Sequence, residues 1–316
     1  MASRYWVGGT GTWDNSTTTH WAASSGGAGG QSVPGSGDTV TFDGSSGGGT
    51  VTPNYNMSCQ AFTMGAFTGT IDFSVNNPSP TFTTFDNSGT GTRTLRMGSG
   101  TWTITNTSPV AWQMGTVTNL TFQCNTSTIR FTNTNNSNTC TFVAGPSMVY
   151  NIVWFDRGAC TANNTFNNNF TAAELKDTGT AAHSVIFIGG SVTTVTTWSI
   201  SGNPGALITI NSNGTATHSL VKVGGTRVSV DYLNIQHSVA SGAASWYAGD
   251  HSVNNQATTS AGSGWIFTSA SSPSSSVSNS PSPSVSSSPS TSPSPSHSIS
   301  SSASTSPSPS SSISNS

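Results

Sequence analysis

Charge is scarce in this chain of 316 residues. Aspartate, glutamate, lysine and arginine together make up 6% of it, against about 25% in a typical soluble domain. Glutamate occurs once, as Glu174, and lysine twice, as Lys176 and Lys222. Because these straight-chain residues favour helices and supply the ion pairs along them, we expect almost no helix.

The shortage of charge also narrows the range of partners. The formal net charge is −2 and the pI is near 6.3, so no basic stripe is available for nucleic-acid phosphates. No apolar run is long enough to span a membrane. We therefore predict neither a nucleic-acid partner nor a membrane.

Metal-binding patterns are missing as well. The four cysteines, Cys59, Cys124, Cys140 and Cys160, lie far apart and lack the paired spacing of a zinc site. We expect buried free thiols, no metal and no cofactor. Cys140 and Cys160 are about one coil apart in the fold proposed below, so their pairing is left open.

The opening residues, MASRYW, lack the charged start and apolar stretch of a secretory signal. A surface-like composition without an export signal fits a virion protein released by lysis. We therefore expect a location on a virion or another extracellular surface.

Threonine, serine, asparagine and glycine are abundant, and alternating apolar and polar residues recur along the chain. Such alternation predicts half-buried strands at 39–42, 101–104, 120–122, 141–143, 185–188 and 207–210. Glycine and asparagine suit the tight turns between them. The glycine runs at 26–30 and 47–49 lack the lysine and helix of a phosphate loop and are interpreted as flexible loops.

Large residues recur at a constant step of 20 in one series and 22 in another: Trp102, Phe122, Phe142; and Phe166, Ile188, Ile210, Tyr232. A solenoid places equivalent residues of successive coils above one another, which produces such a step. We predict an all-β fold, a right-handed parallel β-helix, with the handedness usual for parallel connections. An antiparallel β-sandwich or jelly roll is the alternative, since strands at intervals of 8–12 residues fit it too.

Three regions follow from composition. Residues 1–35, rich in glycine and tryptophan, are predicted to form an N-terminal cap over the first coil. Residues 36–268 form the predicted β-helix. Residues 269–316 are almost entirely serine and proline, so we expect a disordered tail that acts as a linker or terminal extension.

A β-helix raises the possibility of a carbohydrate-cleaving enzyme, which needs carboxylates flanking the scissile bond. The best charged group is Asp156 and Arg157, followed about one coil later by Glu174 and Asp177. An ordinary surface cluster without a catalytic role is the favoured interpretation of these residues. No GxSxG or HExxH motif is present, and we predict that the chain is not an enzyme.

The closing segment of the predicted helix is aromatic. Trp246, Tyr247, Asp250 and His251 are candidates either for contact with a glycan or for a C-terminal cap. Asp250 and His251 are also candidates for an acid/base couple, although a capping or turn role is favoured because an aspartate after Gly249 commonly accepts local backbone hydrogen bonds.

Two stretches carry a resemblance to known sequences: RYWVGGTGTWD at 4–14, and WYAGDHSV at 246–253 with GWIF at 264–267. The chain resembles uncharacterised phage and metagenomic proteins with predicted β-helical bodies. The resemblance implies a structural role on a virion or surface and supplies no catalytic residues.

These observations favour a non-enzymatic structural and adhesive virion protein, such as a phage tail fibre, spike or capsid-surface appendage. Its expected partners are other virion proteins and host-surface glycans, and a homo-oligomer is compatible with the sequence. The alternatives are a polysaccharide depolymerase on the same scaffold and a cell-surface adhesin with a Ser/Pro stalk.

Overall fold

The computed structural model describes residues 1–105, 110–225, 227–256 and 263–270, and within these ranges the chain contains strands and no α-helix. The described residues lie in one compact unit. The predicted tail, 269–316, lies outside the described residues except for its first two positions.

The strands in chain order are β1 (Ser3–Trp6), β2 (Gly11–Trp13), β3 (Trp21–Ala22), β4 (Thr39–Phe42), β5 (Thr50–Pro53), β6 (Ser58–Met64), β7 (Thr70–Asp72), β8 (Thr81–Asp86), β9 (Arg93–Arg96), β10 (Thr101–Ile104), β11 (Val110–Gln113), β12 (Leu120–Gln123), β13 (Thr128–Phe131), β14 (Cys140–Val143), β15 (Met148–Phe155), β16 (Asn164–Asn167), β17 (Phe170–Asp177), β18 (His183–Phe187), β19 (Val192–Ile200), β20 (Ile208–Ser212), β21 (His218–Lys222), β22 (Val228–Ser229), β23 (Leu233–Ile235), β24 (Ser238–Gly242), β25 (Trp246–Tyr247), β26 (Val253–Asn254) and β27 (Trp265–Ile266).

The strands stack in parallel as a solenoid of about eight turns. From β8 onward one ladder runs through β10, β13, β15, β17, β19, β21 and β24, and a second runs through β11, β14, β16, β18, β20, β23 and β26. Separate ladders join β2, β5, β7, β9 and β12, and β22, β25 and β27. Among the described strands only β1 and β3 pair antiparallel. The parallel β-helix prediction is confirmed, and the antiparallel sandwich alternative is wrong.

The constant step predicted between coils is wrong. Trp102 pairs with Ile129 rather than with Phe122, whereas Leu220 pairs with Ala240. Equivalent residues of paired coils are thus 27 positions apart at Trp102 and Ile129 and 20 positions apart at Leu220 and Ala240. Alternation marks the strands, but the corners between them differ in length, and ladder hydrogen bonds require register only within the strands.

The N-terminal segment is already part of the solenoid. β1 pairs in parallel with β4, and β2 with β5, so no structural boundary falls at residue 35. Trp6, Trp13 and Trp21 are fully buried, and Trp21 meets the other two rings edge to face. The predicted aromatic packing at this end is present, inside the first coil rather than in a separate cap.

Glycines allow neighbouring coils to approach closely. A Cβ placed on Gly49 would lie 2.2 Å from the backbone nitrogen of Thr10. The run at 47–49 therefore lies at a tight contact between coils.

The interior is a continuous hydrophobic core that runs through the coils. Cys59, Cys140 and Cys160 are buried, as predicted, and no disulfide joins Cys140 to Cys160. Cys124 is only partly buried.

Candidate functional site

Alternation along β15 and β17 separates the four charged residues singled out in the sequence. Arg157 continues the inward-facing series of Val153 and Phe155, and Asp177 continues that of Leu175; both charged residues are buried. Asp156 and Glu174 are only partly buried, on the outer surface. The four residues therefore do not lie on one face of the solenoid.

A patch on the outer face, here called the Trp154 patch, consists of Arg130, Trp154, Asp156, Lys176 and Thr178. Arg130, Trp154 and Lys176 occupy equivalent positions on β13, β15 and β17. The guanidinium carbon of Arg130 lies 4.8 Å from the centre of the indole ring, and the ammonium nitrogen of Lys176 lies 4.4 Å from it. A half-exposed indole is thus flanked by two cations, each within range of a cation–π interaction.

Hydrogen bonds fix the remaining members of the Trp154 patch. The indole Nε1 of Trp154 donates to Oγ1 of Thr178 at 2.9 Å, and this hydroxyl lies 3.0 Å from Oδ1 of Asp156 and donates to it. Arg130 Nε donates to Oδ2 of Asp156 at 2.8 Å. Burial raises the pKa of Asp156, but the bonds from Arg130 and Thr178 outweigh it and hold the pKa below its usual value. Asp156 is therefore an anion at neutral pH and poorly suited to act as a general acid.

Glu174 is held by a different partner. Its Oε1 accepts a bond of 2.7 Å from Ser199 Oγ on the next coil. Glu174 lies opposite Ile152, four residues before Asp156, which corresponds to about 13 Å along a strand. Glycosidases place their two carboxyl groups roughly 5 to 9.5 Å apart. The backbones of the two outer carboxylates are thus offset by more than this range, and each side chain is held by a different partner.

Arg157 and Asp177 belong to a buried group, the Arg157 cluster, with Asn164 and His183. Arg157 donates to Oδ1 of Asn164 at 2.8 Å, and Nδ2 of Asn164 donates to Oδ2 of Asp177 at 2.8 Å. His183 Nε2 lies 2.9 Å from the same carboxylate oxygen. All four residues are buried, so the cluster is closed to a polymeric substrate.

His183 is suited to carry a proton in this cluster. Its Nδ1 lies 2.9 Å from the carbonyl oxygen of Ala181, so both ring nitrogens face acceptors. Burial lowers the pKa of His183, but the contact with Asp177 outweighs it and raises the pKa above its ordinary value. When it is protonated, the imidazole stabilises the carboxylate that faces it.

Arg157 ties two corners of the solenoid together. Its Nε donates to the carbonyl of Asn133 at 2.8 Å, and a terminal nitrogen donates to the carbonyl of Asn138 at 2.8 Å. The other terminal nitrogen donates to the carbonyl of Ala162 at 3.0 Å. Buried carbonyls need donors, and one guanidinium satisfies several of them. Its geometry is that of a structural residue.

The aromatic residues of the closing segment are divided between core and surface. Trp246 is buried and packs edge to face with Trp198 and Trp265, with ring centres 5.7 and 5.1 Å away. It is placed to close the core and not to contact a glycan. Tyr247 is half-buried and pairs with Ile266, which leaves part of the phenol at the surface.

Asp250 and His251 do not pair with each other. Oδ1 of Asp250 accepts a bond of 2.6 Å from the backbone nitrogen of Ser269. His251 Nδ1 lies 2.7 Å from Oδ2 of Asp231, and its ring stacks on Tyr232 at 4.7 Å. The Asp231 contact raises the pKa of His251. Asp250 and His251 therefore do not form an acid/base couple with each other, and His251 stays an exposed candidate contact.

Further buried polar residues, among them Arg93, His218 and Lys222, were missed by sequence reasoning. Strand alternation would have identified these three. Arg93 lies two positions from Leu95, and His218 and Lys222 each lie two positions from Leu220, so they share the inward-facing side of their strands. In-phase charged residues within a strand mark positions where the interior is polar.

The described ranges contain no group of three or more His, Cys, Asp or Glu side chains arranged to hold a metal ion. They also contain no helix long and apolar enough to cross a membrane. No family model, no curated protein and no solved structure matches the chain.

Proposed function

We propose that this chain is a non-enzymatic structural and adhesive protein of a virion surface, such as a fibre, spike or capsid appendage, that binds host glycans. The Trp154 patch is the observation that supports glycan contact most directly. It presents a half-exposed indole, two cations and a carboxylate on three successive coils.

The solenoid is suited to this role because each coil is hydrogen-bonded to the next over its strands. Strands of adjacent coils are about 4.8 Å apart, so outward residues in register form rows along the axis. A polymer laid along such a row would meet Arg130, Trp154, Lys176 and Ser199 in succession. Such a row of charged and hydroxyl side chains offers the hydroxyl groups of a carbohydrate several hydrogen-bond donors and acceptors.

The purified full-length chain should bind glycans on an array and adhere to cells that display them. Replacing Trp154 with alanine should weaken binding about tenfold or more, because the indole holds both neighbouring cations in place. Val149→Ala is the matched control, since Val149 is an exposed residue on the same strand, and it should change affinity less than about twofold. Equal loss in both variants, or no glycan or cell binding by the unmodified chain, contradicts the proposed adhesion.

Two further measurements separate the alternatives. Release of reducing ends from a bound polysaccharide would establish a depolymerase and overturn the non-enzymatic assignment. Immunogold labelling of particles released from producing cells would support a virion protein, whereas label confined to the producer's surface would support a cell-surface adhesin.

A further inference from the structure

A depression beside β19, β21 and β22 contains a lysine whose charge is buried. The depression has a volume of about 300 Å³, and its lining consists of Thr197, Trp198, Lys222, Arg227, Val228 and Ser229. Trp198, Lys222 and Val228 are buried and form the floor; the other three are exposed and form the rim. A polar rim over a partly apolar floor is typical of a ligand site.

Lys222 occupies an inward-facing position at the end of β21, in phase with Leu220, and is 5% exposed. Its neighbours in register are Val195 on β19 and Gly242 on β24. Gly242 has a φ of 104°, and a Cβ there would lie 2.2 Å from the carbonyl oxygen of Lys222. Packing between coils therefore fixes the backbone from which the lysine extends.

The ammonium group of Lys222 donates to the carbonyl oxygen of Thr196. An ammonium group has three donors, and a buried charge is costly unless an opposite charge balances it. Among the described residues Lys222 has no ion-pair partner: the ion pairs there involve Arg96, Arg130, His183 and His251. The lining of the depression includes Arg227 and no carboxylate.

We propose that this depression binds a carboxylate or sulfate group of an acidic polysaccharide. Lys222 would supply the buried charge and Arg227 a second cation at the rim, while the hydroxyls of Thr197 and Ser229 would meet sugar hydroxyls. A charge-assisted bond in a partly buried site is stronger than one at an open surface. The inference rests on the adhesive function proposed above and adds the class of glycan.

The test measures binding of the full-length chain to polygalacturonate, dextran sulfate and neutral dextran by biolayer interferometry at two salt concentrations. We expect binding to at least one acidic polymer, weakened by salt, and much weaker binding to dextran. A preference for polygalacturonate identifies the ligand group as a carboxylate, and a preference for dextran sulfate identifies a sulfate. Lys222→Met, which keeps the length of the side chain, should weaken acidic-polymer binding at least tenfold.

Arg4→Met is the matched control: it removes the same charge at the opposite end of the chain, where Arg4 bonds to Ser32, and should change affinity less than about twofold. Thr197→Trp fills the rim without touching the buried charge and should also block binding, which guards against misfolding of the lysine variant. Equal losses in Lys222→Met and Arg4→Met, or no acidic-polymer binding by the unmodified chain, overturn the proposal. Cell adhesion that persists without acidic-polymer binding refutes this inference alone and leaves the proposed function intact.

Discussion

Acid should destabilise the solenoid through His218. This imidazole is fully buried and stacks on Phe187 with ring centres 4.4 Å apart, and within the described ranges neither ring nitrogen has a hydrogen-bond partner. Burial lowers the pKa of His218 from 6.5 to about 3; the backbone of His237 opposes this shift, and the charge of His237 adds to it. In the unfolded chain the His218 imidazole therefore binds a proton below about pH 6.5, whereas in the native chain it does so only near pH 3.

The stabilisation that depends on neutral His218 is thus complete above pH 6.5 and is lost as the pH falls towards 3. Between pH 7 and 4.5 the expected loss is about 2.5 kcal/mol, from about 1.36 kcal/mol for each pH unit below the unfolded pKa. His183 acts in the opposite sense, because its raised pKa gives stabilisation that is complete below 6.5 and lost as the pH rises through the folded value. Carboxylates with lowered pKa, such as Asp156, lose stabilisation in acid as well.

The assay compares urea unfolding of the parent chain and of His218→Leu at both pH values. Since His183 and the carboxylates are common to both proteins, the difference between them isolates His218. The variant should be about as stable as the parent at pH 7 and about 2 to 3 kcal/mol more stable than it at pH 4.5. A difference that does not change with pH would refute the reasoning.

Three other perturbations have defined outcomes. Arg157→Leu removes the donor that Arg157 supplies to the carbonyls of Asn133 and Asn138 and should lower the free energy of unfolding by about 3 kcal/mol or more. Arg130→Leu breaks a partly exposed ion pair and should lower it by about 1 kcal/mol or less. Similar urea midpoints for the two variants would contradict the structural role of Arg157. Alkylation of the native chain, mapped by mass spectrometry, should modify Cys124 well before the three buried cysteines, and early modification of Cys140 would contradict their burial. Asp177→Asn should bring the pKa of His183 below 6.5, because burial then acts without the carboxylate, and an unchanged NMR titration of His183 would count against that pairing.

The sequence contained enough information for the strands but not for their pairing. Alternation predicted the strand at 101–104 because its apolar residues face the core and its threonines face outward. It did not predict that Trp102 pairs with Ile129, because the corner between them depends on close contacts made by other coils. A constant step was the wrong criterion for finding the partner.

The candidate site shows the same limit. Asp156 and Arg157 are adjacent in sequence and looked like one charged pair, yet neighbouring residues of a strand point to opposite faces. One joins Arg130 on the surface and the other ties buried corners together. The phase of each charged residue relative to its apolar neighbours was available in the sequence and would have separated them.

The unequal coils bear on how the chain finds its register. In a perfect repeat, a coil displaced by one turn meets an equivalent neighbour, so slipped and swapped pairings compete with the native one. Here the step is 27 residues where Trp102 meets Ile129 and 20 where Leu220 meets Ala240, so a displaced coil would bring the wrong corner and the wrong inward side chain to its neighbour. The irregular coil lengths thus make each coil fit only its native neighbour, so mispairing between coils or between copies of the chain is costly.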